Sequence, residues 1–280
     1  MMQVLEQHIR KAEELWLLPL LNHCNNLFSE VFLPSHDHLH HYRVWSYAKD
    51  LMLMLAESGC RISPELPQQL ILAAFFHDTG LIYTYDEKHG LESRRLCEEF
   101  FRKGDHPLPE GFSEILDAIE HHDDKSLRVG SITGEPELQV LRLLSTSDDL
   151  DAFGYTGIYR YAEIYLCRRI NPKDLPVRIL KNLNNRFNNL KSIFGPLTHF
   201  IDRQEIRYWI TYEFYLGLSE ANAAETERPD WKRELIRVFQ DGIQKKENLL
   251  KQERLLPELE HEREIQHFFM LIDEENSIQA

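Results

Sequence analysis

The sequence is poor in glycine, proline and cysteine, the residues on which collagen-like, low-complexity and disulfide-rich proteins depend. Its 280 residues include only 12 glycines, 12 prolines and 4 cysteines. Such low glycine and proline contents exclude collagen-like and low-complexity architectures. The cysteines, Cys24, Cys60, Cys97 and Cys167, form no CxxC pair. We therefore predict neither a zinc ribbon nor a disulfide scaffold, and we expect a reducing compartment.

Apolar runs long enough to cross a membrane are also missing. No segment approaches the roughly 18–20 consecutive apolar residues that a transmembrane helix needs. The first residues do not resemble a secretory signal, because Glu6 interrupts a basic start and the apolar run Leu15–Leu21 is short. We therefore expect a cytoplasmic protein that makes no membrane contact.

Positive charge is scarce relative to negative charge. The 32 Lys and Arg residues face 46 Asp and Glu residues, which gives a formal net charge of −14. An acidic surface repels phosphate backbones and anionic lipids, so we expect no binding to duplex nucleic acid. The sequence contains no GxGxxG and no GxxxxGK(S/T) loop, so neither dinucleotide-fold nor P-loop chemistry is predicted.

Helical periodicity dominates what the sequence does contain. Apolar residues recur three and four positions apart, which is typical of helices that bury one face. Helices are predicted over residues 2–21, 67–77, 89–103, 112–122, 136–150, 155–169, 175–193, 203–219, 229–253 and 257–272. Another runs through Val44–Leu55 and is ended by Gly59. Only Leu81–Tyr85 has a short β-like pattern, and the expected fold class is all-α.

Histidine is frequent, with 14 copies, and several lie at one predicted helix start. The segment His36–His41 contains four imidazoles and the carboxylate of Asp37. His36 and His40 are four positions apart and therefore share a helix face. Imidazoles that point inward from a helix start are poor packing groups but good metal ligands. The alternative is a solvated cap region without chemistry.

A second polar pair follows the most apolar predicted helix. His77 and Asp78 come directly after Ala73–Phe76. Burying an imidazole and a carboxylate there is costly unless a metal ion or a hydrogen-bond network satisfies them. The alternative is a polar helix end.

A third cluster is acidic. Asp148, Asp149 and Asp151 follow the leucine-rich run Leu141–Leu144, so at least one carboxylate should face inward. Taken alone, this cluster is equally well explained as ordinary acids at a helix end.

The order of these groups carries a family resemblance. His40, His77-Asp78 and Asp148 resemble the H…HD…D motif of the HD superfamily of metal-dependent phosphohydrolases, and the similarity covers about residues 36–165. It implies that these four side chains bind a divalent metal ion inside a bundle of five or more helices. The ion is Mn, Mg, Fe, Co, Ni or Zn, with one ion expected and a second left open.

The resemblance implies further roles in catalysis. Some members hold a second metal ion through two more histidines, for which the candidates are His89 and His121, with His122 as the alternative to His121. Asp78 is expected to orient the attacking water, and His89 or His121 to protonate the leaving oxygen.

Two basic residues near the motifs are candidate substrate-binding groups. Lys125 and Arg160 suit phosphate oxygens, although they could equally be solvated surface charges. The sequence departs from the family pattern at Thr146, where members of this branch often carry an acid.

The composition suggests a division of the chain, because the residues beyond about 221 are more densely charged than the rest. We predict an HD-type helical metal-binding domain over residues 1–220, with its motif core at 36–165. Beyond a polar break at Glu225–Asp230, residues 221–280 are expected to form a C-terminal helical appendage. This appendage packs either on the same core or on a partner, which leaves a homo-oligomer open.

The predicted function is a metal-dependent phosphohydrolase that acts on a small phosphomonoester or nucleotide through a metal-activated water. One alternative is a di-iron oxygenase, since related sites with six ligands hold two irons, and that would require both His89 and His121. The other is a non-catalytic module that keeps its metal for binding or regulation.

Overall fold

The computed structural model describes residues 2–86, 88–104, 106–124, 137–224, 230–250 and 259–279, and over these ranges it contains helices and no strand. The α-helices are α1 (Met2–Phe28), α2 (His38–Glu57), α3 (Leu66–Phe76), α4 (His89–Lys103), α5 (Phe112–His121), α6 (Glu137–Asp151), α7 (Gly154–Cys167), α8 (Leu175–Phe194), α9 (Thr198–Ala223), α10 (Trp231–Lys245) and α11 (Glu262–Gln279). Short 3₁₀ helices lie at Thr79–Ile82 and Pro172–Asp174. The predicted all-α class is confirmed.

The chain divides into two compact units. The first comprises Met1–Val31, His36–Leu150 and Asn189–Ile201, and the second comprises Phe32–Ser35, Asp151–Asn188 and Asp202–Ala280. The predicted boundary after residue 220 falls within α9, which continues to Ala223. Of the predicted polar break, residues 225–229 lie outside the described residues. The separate C-terminal appendage therefore stays a prediction.

The first unit is built around α3. This helix packs against α1, α2, α4 and α5, and its side chains from Leu70 to Phe76 are all buried. Because α3 is apolar on every side, it can be stable only when other helices surround it. The predicted central buried helix is confirmed, and its end is the position from which polar side chains enter the core.

In the second unit, α7 packs against α10 and α11, and these two helices also contact each other. Aromatic rings join them: the ring centroids of Tyr159 and Phe239 are 4.8 Å apart, and those of Phe239 and Phe268 are 5.9 Å apart. Such pairs contribute stability beyond the apolar area they bury. No described helix of either unit is long and apolar enough to span a membrane.

Two local predictions differ from the structure. The β-like run Leu81–Tyr85 begins inside the 3₁₀ helix Thr79–Ile82, where the N–H of Tyr83 donates to the carbonyl of Gly80 at 2.9 Å. Helix α10 ends at Lys245, well before the predicted residue 253, because Lys246 adopts a left-handed conformation with φ of 56°. A left-handed residue cannot continue a right-handed helix, and apolar periodicity does not reveal where one occurs.

The start of α11 yields a prediction about pH. Glu234 accepts hydrogen bonds from the backbone N–H groups of Glu260 and His261 at 3.1 and 2.9 Å, and from Nδ1 of His261 at 3.0 Å. Burial raises the pKa of Glu234, but these bonds outweigh it and hold the pKa below its usual value. The stabilisation is therefore present above the unfolded-state pKa of about 4.3 and is lost as the pH falls through the lower folded-state pKa.

Glu234→Gln should accordingly lower the free energy of unfolding at pH 7 by about 1 kcal/mol. The loss should shrink towards zero as the pH approaches 3. Urea unfolding of both proteins at several pH values checks this expectation, and a pH-independent difference would contradict it.

Candidate metal centre

Helix α2 presents the first histidine of the site. Its N-cap residue, Asp37, accepts a hydrogen bond from the backbone N–H of Leu39 at 2.9 Å, which satisfies a donor of the first turn. The helix ends at Glu57, and Gly59, with φ of 91°, takes the left-handed position that follows the C-cap residue Ser58. With both ends specified, His40 is fully buried, whereas 30% of the His38 side chain remains exposed. Only one of these two histidines faces the core.

The end of α3 supplies the next two groups. His77 follows the last helical residue, and its Nδ1 lies 2.9 Å from the carbonyl oxygen of Ala74. Because a carbonyl oxygen only accepts, Nδ1 carries a proton, so the ring presents a lone pair at Nε2 when it is neutral. Asp78 comes next and is also buried. The helix end therefore aims an imidazole nitrogen and a carboxylate into the interior.

Four buried donors converge at this position. Nε2 of His40 lies 3.2 Å from Nε2 of His77 and 3.4 Å from Oδ2 of Asp78. Oδ1 of Asp148, on α6, lies 3.7 Å from each of the two imidazole nitrogens. The four ligand atoms all lie within 4.8 Å of one another. The structure thus brings together the four side chains whose order in the sequence suggested a metal site; we call them the first group.

The chemistry of the first group fits a divalent cation. Two imidazole nitrogens and two carboxylates face one another where water has little access, and buried lone pairs and negative charges are unfavourable without a positive partner. A divalent metal ion accepts neutral His nitrogen and carboxylate oxygen together. The Nδ1 bond of His77 is the orienting contact that metal-ligating histidines usually make to a carbonyl.

A second group of three donors shares Asp78. Oδ1 of Asp78 lies 3.3 Å from Nε2 of His89 and 3.1 Å from Nε2 of His122, and the two nitrogens are 3.2 Å apart. Nδ1 of His89 is 2.7 Å from the carbonyl oxygen of Asp86, and Nδ1 of His122 is 2.8 Å from that of Ile119. Both rings therefore direct Nε2 towards the carboxylate. Asp78 faces the first group with Oδ2 and the second group with Oδ1.

Two glycines permit the close approach of the elements that carry the second group. A Cβ on Gly80 would collide with the carbonyl oxygen of His89, and a Cβ on Gly90 would collide with that of Glu120. The N–H of Gly80 also donates to Oγ of Ser93 on α4 at 2.8 Å. Glycine at these positions allows the backbones to meet and brings the start of α4 close to both Asp78 and the end of α5.

The charges of the cluster are strongly coupled. Burial raises the pKa of Asp78, but the surrounding imidazoles, His77 foremost, outweigh it and hold that pKa well below its usual value. Burial lowers the pKa of His77, yet the carboxylates of Asp78 and Asp148 raise it overall. The same competition raises the pKa of His89 to about 9. Asp78 therefore stays ionised, and the two carboxylates favour positive charge on the imidazole nitrogens.

His122, and not His121, completes the second group among the described residues. The buried residues of α5 continue from Ile115 through Ile119 to His122, whereas His121 lies one turn beyond the exposed Asp117. The structure therefore brings His122 rather than His121 to the second group, and the catalytic role given to His121 stays a prediction. The apolar spacing could have indicated that His122 faces the core, because position 122 is seven residues after Ile115 and three after Ile119.

The two predicted substrate-binding residues have different outcomes. Lys125 lies outside the described residues. Arg160 belongs to the second unit, where its buried guanidinium pairs with Asp151 through Nη1 and Oδ2 at 3.0 Å. A role for Arg160 in binding substrate stays a prediction.

Comparisons with known proteins agree with this geometry. The family model described as HD domain matches residues 39–153, a range that contains every member of the two groups. No curated protein and no solved structure matches the chain.

Proposed function

Because this chain carries an HD domain over residues 39–153, we propose that it is a metal-dependent phosphohydrolase that acts on a small phosphomonoester or nucleotide. The match to the HD domain model supports this proposal, because HD domains are mostly metal-dependent hydrolases. The observation that carries the proposal is the convergence of His40, His77, Asp78 and Asp148, all buried, with their ligand atoms within 4.8 Å.

The first group would hold one divalent ion and the second group a second ion, with Asp78 shared between them. An ion bound there polarises a phosphoryl oxygen and lowers the pKa of water towards ~7. The protein's own contribution is to hold the ligands in place. The Nδ1 bonds of His77, His89 and His122 to backbone carbonyls fix the three rings before a substrate arrives.

Asp78 and His89 are also the groups that would handle protons. The low pKa of Asp78 keeps it an acceptor at neutral pH, as a residue that orients water must be. Without metal, His89 has a pKa of about 9 and holds a proton at neutral pH. If the ring keeps this proton when only the first group holds an ion, it is the group that would protonate the leaving oxygen. When the second group also holds one, His89 must release that proton to become a ligand.

A phosphate-release assay tests the proposal. Metal-stripped protein is supplied with Mn²⁺, Mg²⁺, Fe²⁺, Co²⁺, Ni²⁺ or Zn²⁺ and assayed on a panel of phosphomonoesters and nucleotides. We expect at least one pairing to show turnover that His40→Ala reduces by about 10³-fold, which is about 4 kcal/mol of transition-state stabilisation.

The matched control is His38→Ala. His38 lies on the same first turn of α2 but belongs to neither group of donors. This variant should keep wild-type turnover and wild-type metal content. Equal losses in both variants would point to damage at the start of α2 rather than to loss of a ligand.

The six donors also favour a second candidate function, a di-iron oxygenase. This alternative needs two histidines besides the first group, and the structure supplies His89 and His122. It predicts two irons per chain, visible absorbance and consumption of dioxygen, with no phosphate released from any substrate. If the metal is bound and neither reaction occurs, the non-catalytic binding or regulatory module becomes the best description.

A further inference from the structure

His41, the neighbour of His40, is buried among rings that include two of the metal-site histidines. It is fully buried, and its ring centroid lies 5.3 Å from that of His40 and 5.2 Å from that of His77. The ring centroids of Phe28 and Phe75 lie 5.5 and 6.3 Å from that of His41. An apolar aromatic side chain would suit such surroundings, yet the residue is an imidazole.

Within the described part of the chain, one nitrogen of His41 has a hydrogen-bond partner and the other has none. Nδ1 lies 3.0 Å from the carbonyl oxygen of Ala74, and the buried Nε2 meets no donor among the described residues. A buried acceptor without a partner is unfavourable, and phenylalanine would avoid it. Packing alone therefore does not explain a histidine here, which directs attention to the bond that Nδ1 makes.

The carbonyl oxygen of Ala74 accepts hydrogen bonds from both imidazoles, those of His41 and His77. Nδ1 of His41 lies 3.0 Å and Nδ1 of His77 lies 2.9 Å from the same oxygen. Since the oxygen can only accept, each ring must carry its proton on Nδ1. Ala74 is in the last turn of α3, where carbonyls lack partners within the helix and attract N–H donors.

We propose that His41 is a positioning residue for metal binding: by donating to one lone pair of the Ala74 carbonyl, it confines the Nδ1–H of His77 to the other. A carbonyl oxygen accepts along two directions in its plane. With a single donor, the His77 ring can move between them and carry Nε2 away from His40 and Asp78. With both donors in place, only one orientation of His77 remains. The inference rests on the proposed metal site but not on the reaction that the site performs.

Two substitutions separate the donor from the ring. His41→Phe keeps an aromatic ring but has no N–H, whereas His41→Asn keeps an N–H near the position of Nδ1 but loses the ring. The affinity of the metal-stripped full-length protein for Mn²⁺ is measured by calorimetry, and the unfolding temperature is measured without metal. Changing a residue that orients a metal ligand typically lowers metal affinity about 10–100-fold.

We expect His41→Phe to bind Mn²⁺ at least about tenfold more weakly than the wild type, although its metal-free unfolding temperature does not fall. His41→Asn should retain affinity within about threefold, even if its unfolding temperature drops because the ring is lost. The affinity for Mn²⁺ should therefore depend on whether residue 41 has the N–H donor, and the unfolding temperature should depend on whether it has the ring. Wild-type affinity in His41→Phe, or equal losses in both variants, would overturn the proposal.

A measurement on metal-free protein tests the orientation of His77 without depending on how much metal the protein binds. ¹⁵N spectra of histidine-labelled, metal-stripped protein are recorded at a pH at which the His77 ring is neutral, and the wild type and His41→Asn should show one sharp set of His77 signals with the proton on Nδ1. His41→Phe should broaden or split these signals because the ring exchanges between two orientations, and wild-type line shapes would count against the proposal. A wild-type protein that binds Mn²⁺ but hydrolyses no phosphate ester would defeat the proposed function and leave this inference standing.

Discussion

Asp78→Ala is expected to remove metal from both groups of donors and to reduce phosphate release by about 10³-fold or more. The reason is that one carboxylate serves both groups. Its Oδ2 lies 3.4 Å from Nε2 of His40 and 3.5 Å from that of His77, whereas its Oδ1 lies 3.3 Å from Nε2 of His89 and 3.1 Å from that of His122. Metal content per chain and turnover of the same preparation check the expectation.

An acidic residue outside the site provides the control for Asp78→Ala. Asp117 lies on α5, pairs with Arg94 at 2.8 Å and has 64% of its side chain exposed. Asp117→Ala changes the net charge of the protein by the same amount and should leave metal content and turnover intact. Full metal content in Asp78→Ala would show that Asp78 does not bridge the two groups.

Replacing His89 and His122 together is expected to remove one metal ion and retain the other. The double variant His89→Ala/His122→Ala deletes both imidazoles of the second group but leaves His40, His77 and Asp148 around Asp78. The metal content of anaerobically purified protein should therefore fall from two ions to one per chain. Elemental analysis of wild-type and variant protein gives the result directly.

The matched control for this experiment is His121→Ala. His121 immediately precedes His122 but lies outside both groups, so its replacement should leave the metal content unchanged. Loss of an ion in His121→Ala, with none in the double variant, would restore the histidine that the sequence favoured.

The identity of the ions decides between the two enzymatic functions. Two irons in the wild type, accompanied by visible absorbance and dioxygen consumption, would favour the oxygenase. Two ions that support phosphate release would favour the phosphohydrolase. Affinity alone does not discriminate, because sites built from histidine and carboxylate accept several divalent ions.

The sequence by itself determined the fold class and, through its resemblance to the HD superfamily, the four donors of the first group. Apolar spacing predicted α4 over 89–103, the same residues that form it in the structure, and identified α3 as the buried helix. His77 and Asp78 were recognisable because polar groups directly after so apolar a helix need a buried partner. Both inferences use local patterns, which the sequence displays within a few residues.

Tertiary structure alone decided which donors meet across the fold. Local sequence does not show that the two oxygens of Asp78 face different groups, because that depends on how α3, α4 and α5 pack. Adjacent residues on a helix point about 100° apart, so a choice between His121 and His122 depends on the phase of α5, which packing sets. The shared carbonyl of Ala74 is a similar case, since it joins His41 on α2 to His77, which follows the end of α3.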